Sequence, residues 1–296
     1  MRLNCRAAGL IAVTVASLAP TATAVAASGS SLQGTARAAK GCIAVTATIP
    51  VGRAPEGVAA DPKAKAIYVA DLVDNTVSVI SGRTNTVTAT IPVANGFPAG
   101  VAANPKTNTI YVADSGLNTV SVISGRTNTV TATIPVGRGP TGVAVNPKTN
   151  TIYVTHSAGS TVSVISGRTN TVTATIPVGR PAGVVADPKA NTIYVTHDNP
   201  HGTVSVISGR TNTVTATIHV GRDPIGVAAN PKANTTYVTD EASNTVSVIS
   251  GRTNTVTATI HVGSEPGAVA ADPKTNTTYV ANAGDDTVSV LAPCPR

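Results

Sequence analysis

Between Thr76 and Ile91 the chain reads TVSVISGRTNTVTATI. Apolar and polar residues alternate over Thr76–Ile80, the pattern breaks at SGRTN, and alternation resumes from Thr86. A period of two is that of a half-buried strand, and a Ser-Gly-Asn cluster between two such runs is turn chemistry. The stretch therefore predicts a β-hairpin. Upstream of each copy lie two further short runs. With the third copy they are GVAVN (Gly142–Asn146) and TIYVT (Thr151–Thr155), separated by NPKTN. Gaps this short allow only antiparallel neighbours.

The sixteen residues recur unchanged at Thr119, Thr161, Thr203 and Thr245, and a sixth copy beginning at Thr287 turns after TVSV into LAPCPR. The VTAT units start at Val45, Val87, Val130, Val172, Val214 and Val256, at intervals of 42 or 43 residues. Four strands at this period are a propeller blade. The expectation is an all-β, six-bladed β-propeller over residues 42–296. Within a blade the strands are named A to D in chain order. Pro50, Pro92, Pro135 and Pro177 fall in strand D. Proline removes a ladder hydrogen bond, so D is expected at the rim and A, the small and apolar GVAA or GVAV, at the axis.

Composition agrees and adds an address. Charged residues are 12% of the 296-residue chain and Trp is absent. Arg2 and Arg6, an apolar stretch from Leu10 and the small residues of TATAVAA make residues 1–27 a secretory signal peptide. Residues 28–41 then read as a linker, and no later stretch is apolar for long enough to span a bilayer. Secretion, the cell surface or the envelope is the expected location. Removing the leader leaves Cys42 and Cys294, one near each end, and an even count in an exported chain favours a disulfide. Aligning LAPC with ISGR and CIAV with TNTV places the two cysteines at consecutive hairpin positions. Val45–Val51 is therefore expected to close the ring as strand D of the last blade.

Strand B carries Tyr68, Tyr111, Tyr153, Tyr194, Tyr237 and Tyr279, expected to pack between blades. The residues around them, YVAD, YVAD, YVTH, YVTH, YVTD and YVAN, resemble the YVTN family of β-propeller repeats, as do VTATIPVG and NPKTNTIYV. The resemblance spans the mature chain and implies a propeller on the cell surface or in the envelope. The chain departs from the family in that only Asn282 supplies the final Asn, and in having six units where members often have seven blades.

Antiparallel blades put the A–B and C–D turns at one end and the B–C and D–A loops at the other, roughly 17 Å away. The first end collects Lys63, Lys65, Lys106, Lys148, Lys189, Lys232 and Lys274 with Arg83, Arg126, Arg168, Arg210 and Arg252, against Asp61, Asp187 and Asp272, for a charge of +9. The second end sums to −7. A basic face of this kind attracts polyanions: an anionic polymer, an envelope component or an acidic protein surface. Nucleic acid fits less well, because no aromatic series accompanies the charge to stack bases. On the acidic face Asp71, Asp114, His156, His197, Asp240 and Asn282 follow strand B at equivalent positions. His156, His197, Asp198 and His201 form a candidate divalent-metal set, although no HExxH-like motif supports it. Phe97 is a lone aromatic candidate for a contact, and no organic cofactor is implied. A noncatalytic interaction scaffold is the leading function. The alternative is a propeller enzyme, lactonase-, lyase- or quinone-dehydrogenase-like, with its site on the acidic loop face. There is no G-x-S-x-G elbow or C-x-x-C-H haem site, and near-identical blades supply few unique residues for catalysis.

Overall fold

The computed structural model describes residues 48–292. The first three blades are β1–β4 (Pro55–Asp61, Ala66–Asp71, Thr76–Ser81, Thr86–Pro92), β5–β8 (Pro98–Asn104, Thr109–Asp114, Thr119–Ser124, Thr129–Pro135) and β9–β12 (Pro140–Asn146, Thr151–His156, Thr161–Ser166, Thr171–Pro177). The next two are β13–β16 (Pro181–Asp187, Thr192–His197, Thr203–Ser208, Thr213–His219) and β17–β20 (Pro224–Asn230, Thr235–Asp240, Thr245–Ser250, Thr255–His261). The sixth comprises β21–β23 (Pro266–Asp272, Thr277–Asn282, Thr287–Leu291). Each sheet is an antiparallel meander in chain order. The chain is a six-bladed β-propeller. Its one helical element among the described residues is the 3-10 turn Glu241–Ser243, so no described helix is long and apolar enough to cross a membrane.

Burial does not follow the period-two alternation of the sequence. The middle strands are buried along nearly their whole length, because each blade's two faces pack against its neighbours. Four of the six tyrosines, Tyr68, Tyr111, Tyr153 and Tyr194, are buried between blades, whereas Tyr237 and Tyr279 are partly exposed. Tyr68 lies with Val101, Ile110 and Ile123 of the second blade, and Tyr111 with Ile152, Val154 and Ile165 of the third. Burying such a side chain contributes about 1.5–3 kcal/mol. Strand D is the rim, as its proline requires, and of β8 only Ile134 is buried. Thr131 bulges out of β8 between the partners of Val122 and Ile123, and its Oγ1 donates to the Val122 carbonyl at 3.1 Å. A bulge and a terminal proline keep this outer edge from pairing with another chain.

Inner strands join the blades: β1 packs on β5, β5 on β9, β9 on β13, β13 on β17 and β17 on β21. A glycine permits each approach. A Cβ on Gly57 would lie 2.3 Å from the Ala99 carbonyl oxygen, on Gly100 2.1 Å from that of Thr141, and on Gly183 2.5 Å from that of Ile225. Among the described residues no comparable packing joins β21 to β1. The sixth sheet shows three strands, and Val288 and Val290 are 61% and 50% exposed. Of the expected closing strand Val45–Val51, Thr48–Val51 forms no strand among the described residues, and Val45–Ala47 lies outside them.

Candidate functional site

The basic end is built from two repeated turns. In each C–D turn an Asn takes the left-handed conformation, as at Asn85 (φ 54°) and Asn128 (φ 53°), which Asn tolerates better than other L-residues. The Asn85 N–H donates to the Ser81 carbonyl at 2.9 Å, and the Arg83 N–H donates to Ser81 Oγ at 3.3 Å. Arg83, Arg126, Arg168, Arg210 and Arg252 project from these turns and are all exposed. In the A–B turns the side chain ending strand A accepts from the lysine N–H two residues on, from Lys106 to Asn104 at 3.1 Å and from Lys189 to Asp187 at 2.8 Å. Asn104 Nδ2 also donates to Asn150 Oδ1 of the next blade at 2.7 Å, and Asn146 donates likewise to Asn191 at 2.8 Å. Asparagine pairs thus tie the turns of the second and third, third and fourth, and fifth and sixth blades, and Lys63, Lys106, Lys148, Lys189, Lys232 and Lys274 are all exposed.

The salt bridges among the described residues, Arg53–Asp74 at 2.6 Å and Arg180–Asp198 at 3.6 Å, both lie at the opposite end. Asp61 and Asp187 are buried beneath the turns they cap. The cations of the basic end therefore stand without ion pairs among the described residues.

The opposite end differs from its charge count. Asp71, Asp114 and Asp240 are buried rather than displayed. Each accepts a 2.7 Å bond from a strand C serine two residues beyond its cross-strand partner: Ser78, Ser121 and Ser247. Burial raises all three carboxyls above the ordinary carboxylate range, against the lowering effect of these hydroxyls. His156 and His197 occupy the same niche, each with Nε2 2.8 Å from the hydroxyl of Ser163 or Ser205. Asn282 fills it in the sixth blade, donating to Thr287 and Ser289 at 2.9 Å. A D–A loop glycine roofs every niche, and a Cβ on Gly52 or Gly221 would lie 2.5–2.6 Å from the Cβ of Asp71 or Asp240. These residues pin the loop to the blade.

The four candidate metal ligands are thereby separated in role. His156 and His197 are buried on different blades, Asp198 pairs with Arg180, and His201 is exposed, with its N–H donating to Asn199 Oδ1. The described residues contain no group of three His, Cys, Asp or Glu side chains arranged to hold a metal ion. Cys42 and Cys294 lie outside the described residues. His219 and His261, in place of the rim proline, are exposed at the ends of β16 and β20, and Phe97 is 51% exposed in its loop. The sequence signal for the pins is that the variable Asp, His or Asn always bonds the Ser at the third position of TVS.

No protein-family model and no curated protein matches the chain. Among solved structures, 1663 chains match, so the fold is widely shared and does not by itself select a function. One is a structure titled Kuenenia stuttgartiensis Hydrazine Synthase, 17% identical, with a TM-score of 0.59. The match covers 86% of this chain and 99% of that one. At that identity the likeness is one of fold.

Proposed function

We propose that this propeller is an exported, noncatalytic interaction scaffold of the cell surface or envelope that binds an anionic polymer through its A–B and C–D turn face. The observation that carries this reading is the set of exposed arginines and lysines at one end, without ion pairs among the described residues, held at blade spacing by near-identical turns. A polymer with regularly spaced charge meets a turn lysine and a turn arginine in each of the first five blades. The opposite end lies roughly 17 Å away, beyond the ~8 Å physiological screening length, so it leaves this field intact. The resemblance to YVTN repeats supports the surface location.

The test is charge reversal. Binding of the mature chain to an anionic polysaccharide or to anionic vesicles is expected to weaken steeply between low and physiological salt. Replacing Arg83, Arg126, Arg168, Arg210 and Arg252 by Glu should abolish it while leaving the unfolding midpoint nearly unchanged, because exposed turn charges contribute about 0–1 kcal/mol each to stability. Unchanged polymer affinity in that variant refutes the reading.

A further inference from the structure

The outer hairpins of the first five blades are identical in sequence, but the inner strands are not. The residue after the first proline of each blade is Glu56, Ala99, Thr141, Ala182, Ile225 and Gly267 in turn. In the first five blades these residues, with the Gly and Val that follow them, line a cavity of about 100 Å³ on the axis. It sits toward the D–A loop end of the inner strands, away from the basic turns. Val58, Val101, Val143, Val184 and Val227 make an apolar wall. Two polar side chains share it. The Thr141 hydroxyl lies 3.2 Å from that of Thr155, whereas Glu56 has no hydrogen-bond or ion-pair partner among the described residues. Arg53, three residues away, is committed to Asp74 at 2.6 Å.

A half-buried carboxylate beside an apolar wall is costly unless something pairs with it. Burial accordingly holds the Glu56 carboxyl above its ordinary range. An apolar pocket with one convergent charge is also the usual form of a small-ligand site. We propose that this axial cavity binds a small protonated aliphatic amine, its ammonium on the Glu56 carboxylate and its alkyl body against the valine wall. Size sets the class. An apolar cavity of ~150 Å³ holds benzene, so this one suits a straight chain of about four carbons. An ammonium has three donors, and the two oxygens of the Glu56 carboxylate can accept from it. An anionic ligand would meet a second like charge. The site is distinct from the turn face and independent of it.

The probe is n-butylamine, titrated into the mature protein beside 1-butanol and butyrate and followed by chemical-shift NMR. One saturable amine site is expected, roughly ten- to a hundredfold tighter than 1-butanol, the ratio a charge-assisted hydrogen bond supplies. Butyrate should bind more weakly than either. Glu56→Gln should bring the amine down to the alcohol, leaving alcohol binding unchanged. Val58→Phe, at a site 47% exposed and so tolerant of bulk, should weaken both ligands. Equal affinity for amine and alcohol, undiminished amine binding in Glu56→Gln, or no saturable site would each overturn the proposal.

Discussion

At the scale of the residue, the pins beneath the D–A loops make this protein's stability depend on pH in two opposed ways. Burial holds the His156 imidazole down at about 4 from an ordinary 6.5, and lowers His197 as well. The folded state thus favours the neutral ring. That contribution is complete above pH ~6.5 and is lost as pH falls toward the folded pKa. Urea unfolding at pH 5 should show about 1–2 kcal/mol less stability than at pH 7 through His156 alone. His156→Asn, which imports the Asn282 arrangement, should remove that loss. Identical pH profiles for the two proteins would contradict the assignment. Asp114 behaves oppositely, because burial raises it. Its contribution is present below the ordinary carboxylate pKa and lost as pH rises through the raised value. At pH 7 the carboxylate is a cost, so Asp114→Asn should raise the urea midpoint and Asp114→Ala should lower it.

At the scale of the element, the inner strand depends most on a single position. A Cβ on Gly100 would stand 2.1 Å from a backbone oxygen of the next blade, and backbone has little room to yield. Gly100→Ala should therefore cost at least about 2 kcal/mol. The sixth blade carries Ala268 at the equivalent position, and there no following blade packs closely among the described residues. Ala268→Gly should change stability by less than about 1 kcal/mol, the backbone-entropy cost of glycine alone. Paired denaturation curves decide the matter, and equal effects would show that the glycine has no steric role. The rim strands need no such precision, since a bulge, a proline and exposed threonines suffice at an edge that meets water.

At the scale of the whole molecule, the sixth blade is the weak point of a chain whose blades stabilise one another through their neighbours. Its β23 offers an unpaired edge and two exposed valines among the described residues. Val45–Val51 repeats the sequence that covers strand C in the other blades. A chain beginning at Gly52 is expected to melt at lower temperature than one beginning at Ser28 and to self-associate through the bared edge. Equal melting temperatures and a monomeric light-scattering mass would rule out a closing role for this segment. If Cys42 and Cys294 are joined, peptide mapping without reductant will recover them as one linked species, and reduction will lower the unfolding midpoint.

Much of this architecture could be read directly. Repetition at 42 or 43 residues gave blade number, period-two alternation gave the strands, and proline placed strand D at the rim, because each is a local or periodic property of the chain. The sorting of turn lysines and arginines to one end also followed, since antiparallel connectivity alone decides which turns share a face. Burial did not follow. Asp71, Asp114, His156, His197 and Asp240 look like loop residues in sequence. Whether a polar side chain at a strand end meets water depends on a glycine of the preceding loop, some twenty residues earlier, and on a serine across the sheet. The axial cavity was equally hidden. Glu56, Thr141 and Ile225 are far apart in the chain, and only the convergence of successive inner strands, set by Gly57, Gly100, Gly183 and Gly226, brings them around one space.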